Sequence, residues 1–171
     1  HVKQNGKCGY HFYNDKEKSS ILGKDSVYTN VLTMDQVADI TMLYSAQKGA
    51  FRVEFECFKK IVEFISRGVS RANQDIQMVL FTFNAENGEK EPVDVAVHKM
   101  SQAFREQLRR GDVFTQYGSR QLLLVLRDTN EEYADREVQR ILNKVYESVD
   151  KDEVQIEYVI RTIQKDATIG K

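Results

Sequence analysis

Residues 111–129 read GDVFTQYGSRQLLLVLRDT, and their pattern decides the fold. Val113–Tyr117 and Gln121–Leu126 are two short runs rich in β-branched, aromatic and aliphatic residues. Gly118, Ser119 and Arg120 separate them, a polar tip with a glycine between two strand-length runs, so the spacing predicts a β-hairpin. The hairpin is bracketed by helix signals. Before it, Val93, Val97, Met100, Phe104 and Leu108 recur at helical spacing, followed by Arg109 and Arg110 and stopped by Gly111. After it, Asp128 and Thr129 open a helix whose apolar stripe is Ala134, Val138, Ile141, Leu142 and Val145.

Further out, Phe51, Phe55, Phe58, Ile61, Val62, Ile65 and Val69 predict a long amphipathic helix running to about Ala72, and a shorter helix is expected between Leu32 and Tyr44 with Thr33 as its N-cap. IQMVLFTF (residues 76–83) is a compact apolar run of strand length, expected to be buried on both faces. Residues 84–92 carry the only proline and read as a loop, and Val154, Ile156, Tyr158 and Ile160 alternate as a last strand. The order is helix, helix, strand, helix, hairpin, helix, strand. It predicts an α/β fold with a mixed sheet flanked by helices.

Composition narrows the functional classes. The 171 residues carry 25 Lys and Arg against 26 Asp and Glu, a net charge of -1. A broad cationic surface for nucleic acid or anionic lipid is therefore not expected, and no apolar run approaches the roughly 18 residues of a membrane span. Cys8 and Cys57 form no C-x-x-C pair and stand in dissimilar segments, which implies unpaired thiols and a cytoplasmic setting, with Cys57 as inert helix core. His98 has no Cys or His at metal-ligand spacing. The basic residues Lys59, Lys60, Arg67 and Arg71 alternate with Glu54, Glu56 and Glu63, as on a solvated helix face.

Residues 111–129 resemble the hairpin of the GGDEF family, S-D-x-x-x-R-Y-G-G-D-E-F-x-x-x-L-P-D-T, whose members make cyclic di-GMP in bacteria. The stretch Asp39, Ile40, Thr41, Met42, Leu43, Tyr44 with Ala50 and Phe51 is similar to that family's entry into its first long helix. The resemblance covers about residues 35–163 and implies the nucleotidyl cyclase fold. The signature itself is altered: Gly118, Ser119, Arg120, Gln121 and Leu122 stand where the family has G-G-[DE]-E-F. Family members hold divalent cations on carboxylates there and on an Asp at the end of the first strand, a position filled by Thr82, with Asn84 where a second Asp often stands. Neither an amide nor a guanidinium supplies a hard anionic ligand, so catalysis is not expected and magnesium is not an expected cofactor. Asp94 aligns with a base-contacting aspartate, although the loop before it lacks the family's F-K-x-x-N-D string.

One further feature of the resemblance is intact. Arg109 and Asp112 have the R-x-x-D spacing that, five residues before the signature, binds cyclic di-GMP in many members, and Arg140 stands where a third ligand residue is expected. Arginine can hold a phosphate bidentately or stack on a base, and a carboxylate can accept from a guanine edge. The resemblance thus implies a catalytically inactive signalling domain that binds cyclic di-GMP. The ordinary alternative is a local ion pair at a helix end, with the domain serving as a homodimerising module or docking on an adjacent signalling domain. The remaining alternative is a diguanylate cyclase making cyclic di-GMP from GTP, its missing carboxylates supplied from elsewhere. Residues 1–30 read as a tail and linker before a domain at 31–171. Within them, Val2, Lys3, Gln4, Asn5, Gly6 and Lys7 resemble the sequence that closes a GGDEF domain, which suits either a preceding domain or a rearranged end of this one.

Overall fold

The computed structural model describes residues 33–42, 48–72 and 75–163. The expected tail, the linker and Cys8 lie outside these residues. The chain divides after Gln47 into two units. In the first, α1 (Met34–Met42) starts as its sequence predicts. Thr33 Oγ1 accepts from the Gln36 backbone N–H at 3.3 Å while Gln36 Oε1 accepts from that of Thr33 at 2.9 Å. This reciprocal box satisfies two of the donors that a helix start leaves unpaired.

From Lys48 onward the second unit runs β1 (Phe51–Arg52), α2 (Phe55–Ala72), β2 (Gln77–Ala85), α3 (Lys90–Gln107), β3 (Val113–Tyr117), β4 (Gln121–Leu126), α4 (Glu131–Tyr146) and β5 (Val154–Thr162). The sheet order is β1-β3-β4-β2-β5, with β1 parallel to β3 and every other pair antiparallel. Strand β2 is the hub. Its residues alternate: Val79, Phe81 and Phe83 are fully buried on one face, whereas Met78, Leu80 and Thr82 are only partly covered on the other. The expectation of burial on both faces therefore holds for one face only.

On the fully buried face, α3 contributes Val93, Val97, Met100 and Phe104, and α4 contributes Val138, Ile141, Leu142 and Val145. Phe104 lies at the centre, 5.4 Å from the Phe81 ring and 5.1 Å, edge-on, from Phe114. Filling this layer with aromatic rings buries apolar area in defined geometries that contribute beyond area alone. On the other face α2 places Phe58 against Val113, Val125 and Ile76. Helix α4 is capped by Asn130, whose Oδ1 accepts from the Tyr133 N–H at 2.9 Å.

Four local expectations are corrected. Phe51 is not helical but pairs in β1 with β3, its N–H donating to the Asp112 carbonyl at 2.8 Å. Helix α3 begins at Lys90, before Pro92, because a first-turn proline gives up only an N–H that has no helical partner there. It ends at Gln107, so Arg109 and Arg110 lie beyond it and Arg105 is the basic residue of its last turn. Cys57 is disulfide-bonded rather than an unpaired thiol. Gly49, which sequence reading passed over, has φ +72°, and a Cβ there would lie 1.8 Å from the Arg105 carbonyl oxygen, so the chain entering β1 passes against the last turn of α3 only because this residue has no side chain.

Candidate functional site

The hairpin connecting β3 and β4 turns through Gly118 at φ +69°. The register sets Thr82 of β2 opposite Gln121 of β4, and Gln121 Nε2 donates to Thr82 Oγ1 at 3.2 Å. Of the four positions where the resemblance implies carboxylates, Thr82 and Gln121 thus hold neutral side chains that pair with each other. Arg120 projects from the turn, exposed, with Nη2 3.4 Å from the Gly88 carbonyl. Asn84 is farther along β2, paired with Gln155. On the other side of Thr82, β5 places Glu157 directly opposite it. Sequence reading missed Glu157. Its parity puts it on the face opposite Val154 and Ile156, but only the β2–β5 register sets it beside Thr82.

A divalent cation does not fit this set. Glu157 offers one hard anionic donor, the Gln121 amide and the Thr82 hydroxyl are neutral, and Arg120 adds positive charge to the turn. Among the described residues no group of three or more His, Cys, Asp or Glu could hold a metal.

The second cluster sits at the end of α3. Asp112 is 3% exposed, and its two carboxylate oxygens accept from separate backbone N–H groups: Oδ2 from Arg109 at 3.0 Å and Oδ1 from Arg127 at 3.1 Å. The turn is closed again by Asp112 N–H donating to the Arg109 carbonyl at 3.1 Å. One carboxylate therefore ties the α3–β3 turn to the end of β4. Burial raises its pKa above the ordinary 3.8, opposed by these two hydrogen bonds and by the Arg109 charge, while Glu137 pushes it further up. The carboxylate expected to read a guanine edge faces inward in this structure.

Arg109 itself is exposed on this turn. Arg140 reaches across from α4 to the same helix end, with Nη1 3.2 Å from Gln107 Oε1 and Nη2 3.3 Å from the Gln107 carbonyl, while also pairing with Glu137 at 2.5 Å. It thus supplies a partner to a carbonyl that the end of α3 leaves open. Its side chain remains about half exposed. The structure brings Arg109, Asp112 and Arg140 to one helix end, with Asp112 beneath the surface.

The remaining candidates are peripheral. Asp94 and His98 are exposed on α3, with Lys90 3.9 Å from Asp94. Lys59 pairs with Glu56 and Arg67 with Glu63, the pattern of a solvated face. A shallow groove is lined by Glu131, Glu132, Asp135, Tyr158 and Ile160. There the Tyr158 hydroxyl donates to Asp135 at 2.6 Å, which holds its pKa above the usual phenol value. Among the described residues no helix is long and apolar enough to cross a membrane.

No family profile and no curated protein matches the sequence. Solved structures do. A DGC protein from Thermotoga maritima is 14% identical over 66% of this chain and 81% of its own, with a TM-score of 0.54. The FimX GGDEF domain from Pseudomonas aeruginosa is 14% identical over 70% of this chain and 78% of its own, with a TM-score of 0.55. The diguanylate cyclase SiaD, solved with its activator SiaC from the same organism, is 12% identical over 75% of this chain and 55% of its own, also with a TM-score of 0.55. With a mixed five-stranded sheet, helices on both faces and the hairpin in the expected place, the chain has the fold of the GGDEF domains.

Proposed function

We propose that this is a non-catalytic GGDEF-like signalling domain that binds cyclic di-GMP at the end of α3. The hydrogen bond between Thr82 and Gln121 carries the first half of this reading, since it fills with a neutral pair the place where phosphoryl transfer would need metal-bridging carboxylates. Arg109 and Arg140 carry the second half. They are two accessible guanidinium groups at one helix end, suited to phosphate oxygens and purine faces. Asp112 acts as a positioning residue that fixes the turn presenting Arg109. Binding in this mode requires Arg140 to exchange Glu137 for a phosphate, a modest rearrangement of an exposed pair. No metal takes part.

A second reading is favoured by those same commitments. With Asp112 turned inward and Arg140 already paired, the helix end is satisfied without ligand, and the domain then acts through protein contacts with a second copy or an adjacent domain. A cytoplasmic location suits a signalling domain, whereas a disulfide at Cys57 favours an oxidising compartment.

Two assays separate these readings from catalysis. Incubation with GTP and magnesium is expected to give no cyclic di-GMP, and turnover abolished by Thr82→Ala or Glu157→Ala would overturn the inactive assignment. Cyclic di-GMP is expected to raise the melting temperature of the wild type but not of Arg109→Ala. No shift in either protein would leave the protein-contact reading standing.

A further inference from the structure

Strand β5 closes one side of the sheet, and the parity of its backbone is fixed by two hydrogen bonds. Ile163 N–H donates to the Ile76 carbonyl at 2.8 Å, so the odd-numbered residues turn their backbone groups toward β2. Ile156 N–H donates to the Tyr146 hydroxyl at 2.9 Å, so the even-numbered residues turn theirs outward. Tyr146 thereby stops the outer edge at Ile156. Beyond it, the outward N–H and C=O groups of Tyr158, Ile160 and Thr162 have no partner among the described residues. An edge of this kind is usually protected by like charges or a covering element. Here the side chains along it are Glu157, Val159 and Arg161, on the face that α2 leaves open, and Val159 is 57% exposed.

Those three residues are complementary to themselves. We propose that β5 is a self-association edge, at which a second copy of the chain pairs antiparallel about a two-fold axis through Val159. In that register Tyr158 and Ile160 of the second copy exchange both backbone hydrogen bonds, and so do their symmetry mates. Glu157 lies opposite Arg161 of the second copy, twice, and Val159 meets Val159. A two-fold axis through Tyr158 would set Glu157 against Val159, and one through Ile160 would set Arg161 against Val159. Only the Val159 axis gives both charges a partner while leaving the Tyr146 contact in place. A two-fold contact must be self-complementary, and opposed charges in directly facing cross-strand pairs stabilise pairing.

The paired segment is short compared with a standard interface of about 1,600 Å². Association is accordingly weak and concentration-dependent. It is independent of the arginines of the proposed ligand site, so it stands or falls separately from the proposed function.

Sedimentation velocity on the whole chain from about 10 μM to about 1 mM tests it. The wild type is expected to shift from monomer toward dimer across this range. Arg161→Glu, which faces each Glu157 with a second carboxylate, is expected to stay monomeric, and the exchange Glu157→Arg with Arg161→Glu is expected to restore the dimer. Both positions are exposed, so loss of folding is not expected, and circular dichroism checks this. A monomer throughout, or a dimer indifferent to Arg161→Glu, overturns the proposal. A wild-type monomer whose β5 amides become protected only on adding an extended peptide would assign the edge to a different occupant and overturns it equally.

Discussion

Asp112 and Arg109 are three positions apart and do different work. Asp112→Ala removes the acceptor of two backbone N–H groups, each costing about 1–3 kcal/mol when left buried and unpaired. Arg109→Ala removes an exposed side chain and is expected to change stability by no more than about 0.5 kcal/mol. Urea denaturation of the two variants checks this: equal, small losses would show that the Asp112 carboxylate does not hold the turn. The Asp112 pKa gives a further test. Because burial raises it, the folded state binds this proton more tightly than the unfolded chain. The resulting stabilisation is fully present below the ordinary value near 3.8 and is lost as pH rises through the raised folded value. The stability difference between wild type and Asp112→Ala is therefore expected to narrow as pH climbs through that window. Carbon-detected NMR titration should place the carboxyl above its unfolded value. The sequence shows the R-x-x-D spacing but not which way the carboxylate turns, since that depends on an N–H donated from Arg127, fifteen residues away.

At the scale of elements, the hairpin was the most legible part. Val113–Tyr117 and Gln121–Leu126 form strands with the limits their residues predict, because a glycine turn between two apolar runs is local information. The stripe of α4 is equally plain: all five residues expected to be buried are buried. Phe51 continues the helical spacing of Phe55 and Phe58, and only its pairing with β3 makes it a strand residue. Gly49 marks that transition. Gly49→Ala must both adopt an unfavourable positive φ and displace the Arg105 backbone, so a loss of at least about 2 kcal/mol is expected in thermal or urea unfolding. In the core, Phe104→Ala opens the aromatic layer and is expected to cost about 3–5 kcal/mol.

For the molecule as a whole, the sheet order could be expected only through the resemblance, and the neighbours of Thr82 follow from register alone. The row Gln121, Thr82 and Glu157 is assembled from three strands, of which two meet across more than seventy residues of chain. The altered signature is visible in the sequence, whereas the hydrogen bond between Gln121 and Thr82 is not. The proposed function requires that this fold recognise cyclic di-GMP without synthesising it. Isothermal titration with cyclic di-GMP, first metal-free and then with magnesium, tests it most directly. The expected result is micromolar or tighter binding that magnesium does not change and that Arg109→Ala abolishes. No heat of binding at high ligand concentration, or binding that survives Arg109→Ala unaltered, would contradict it.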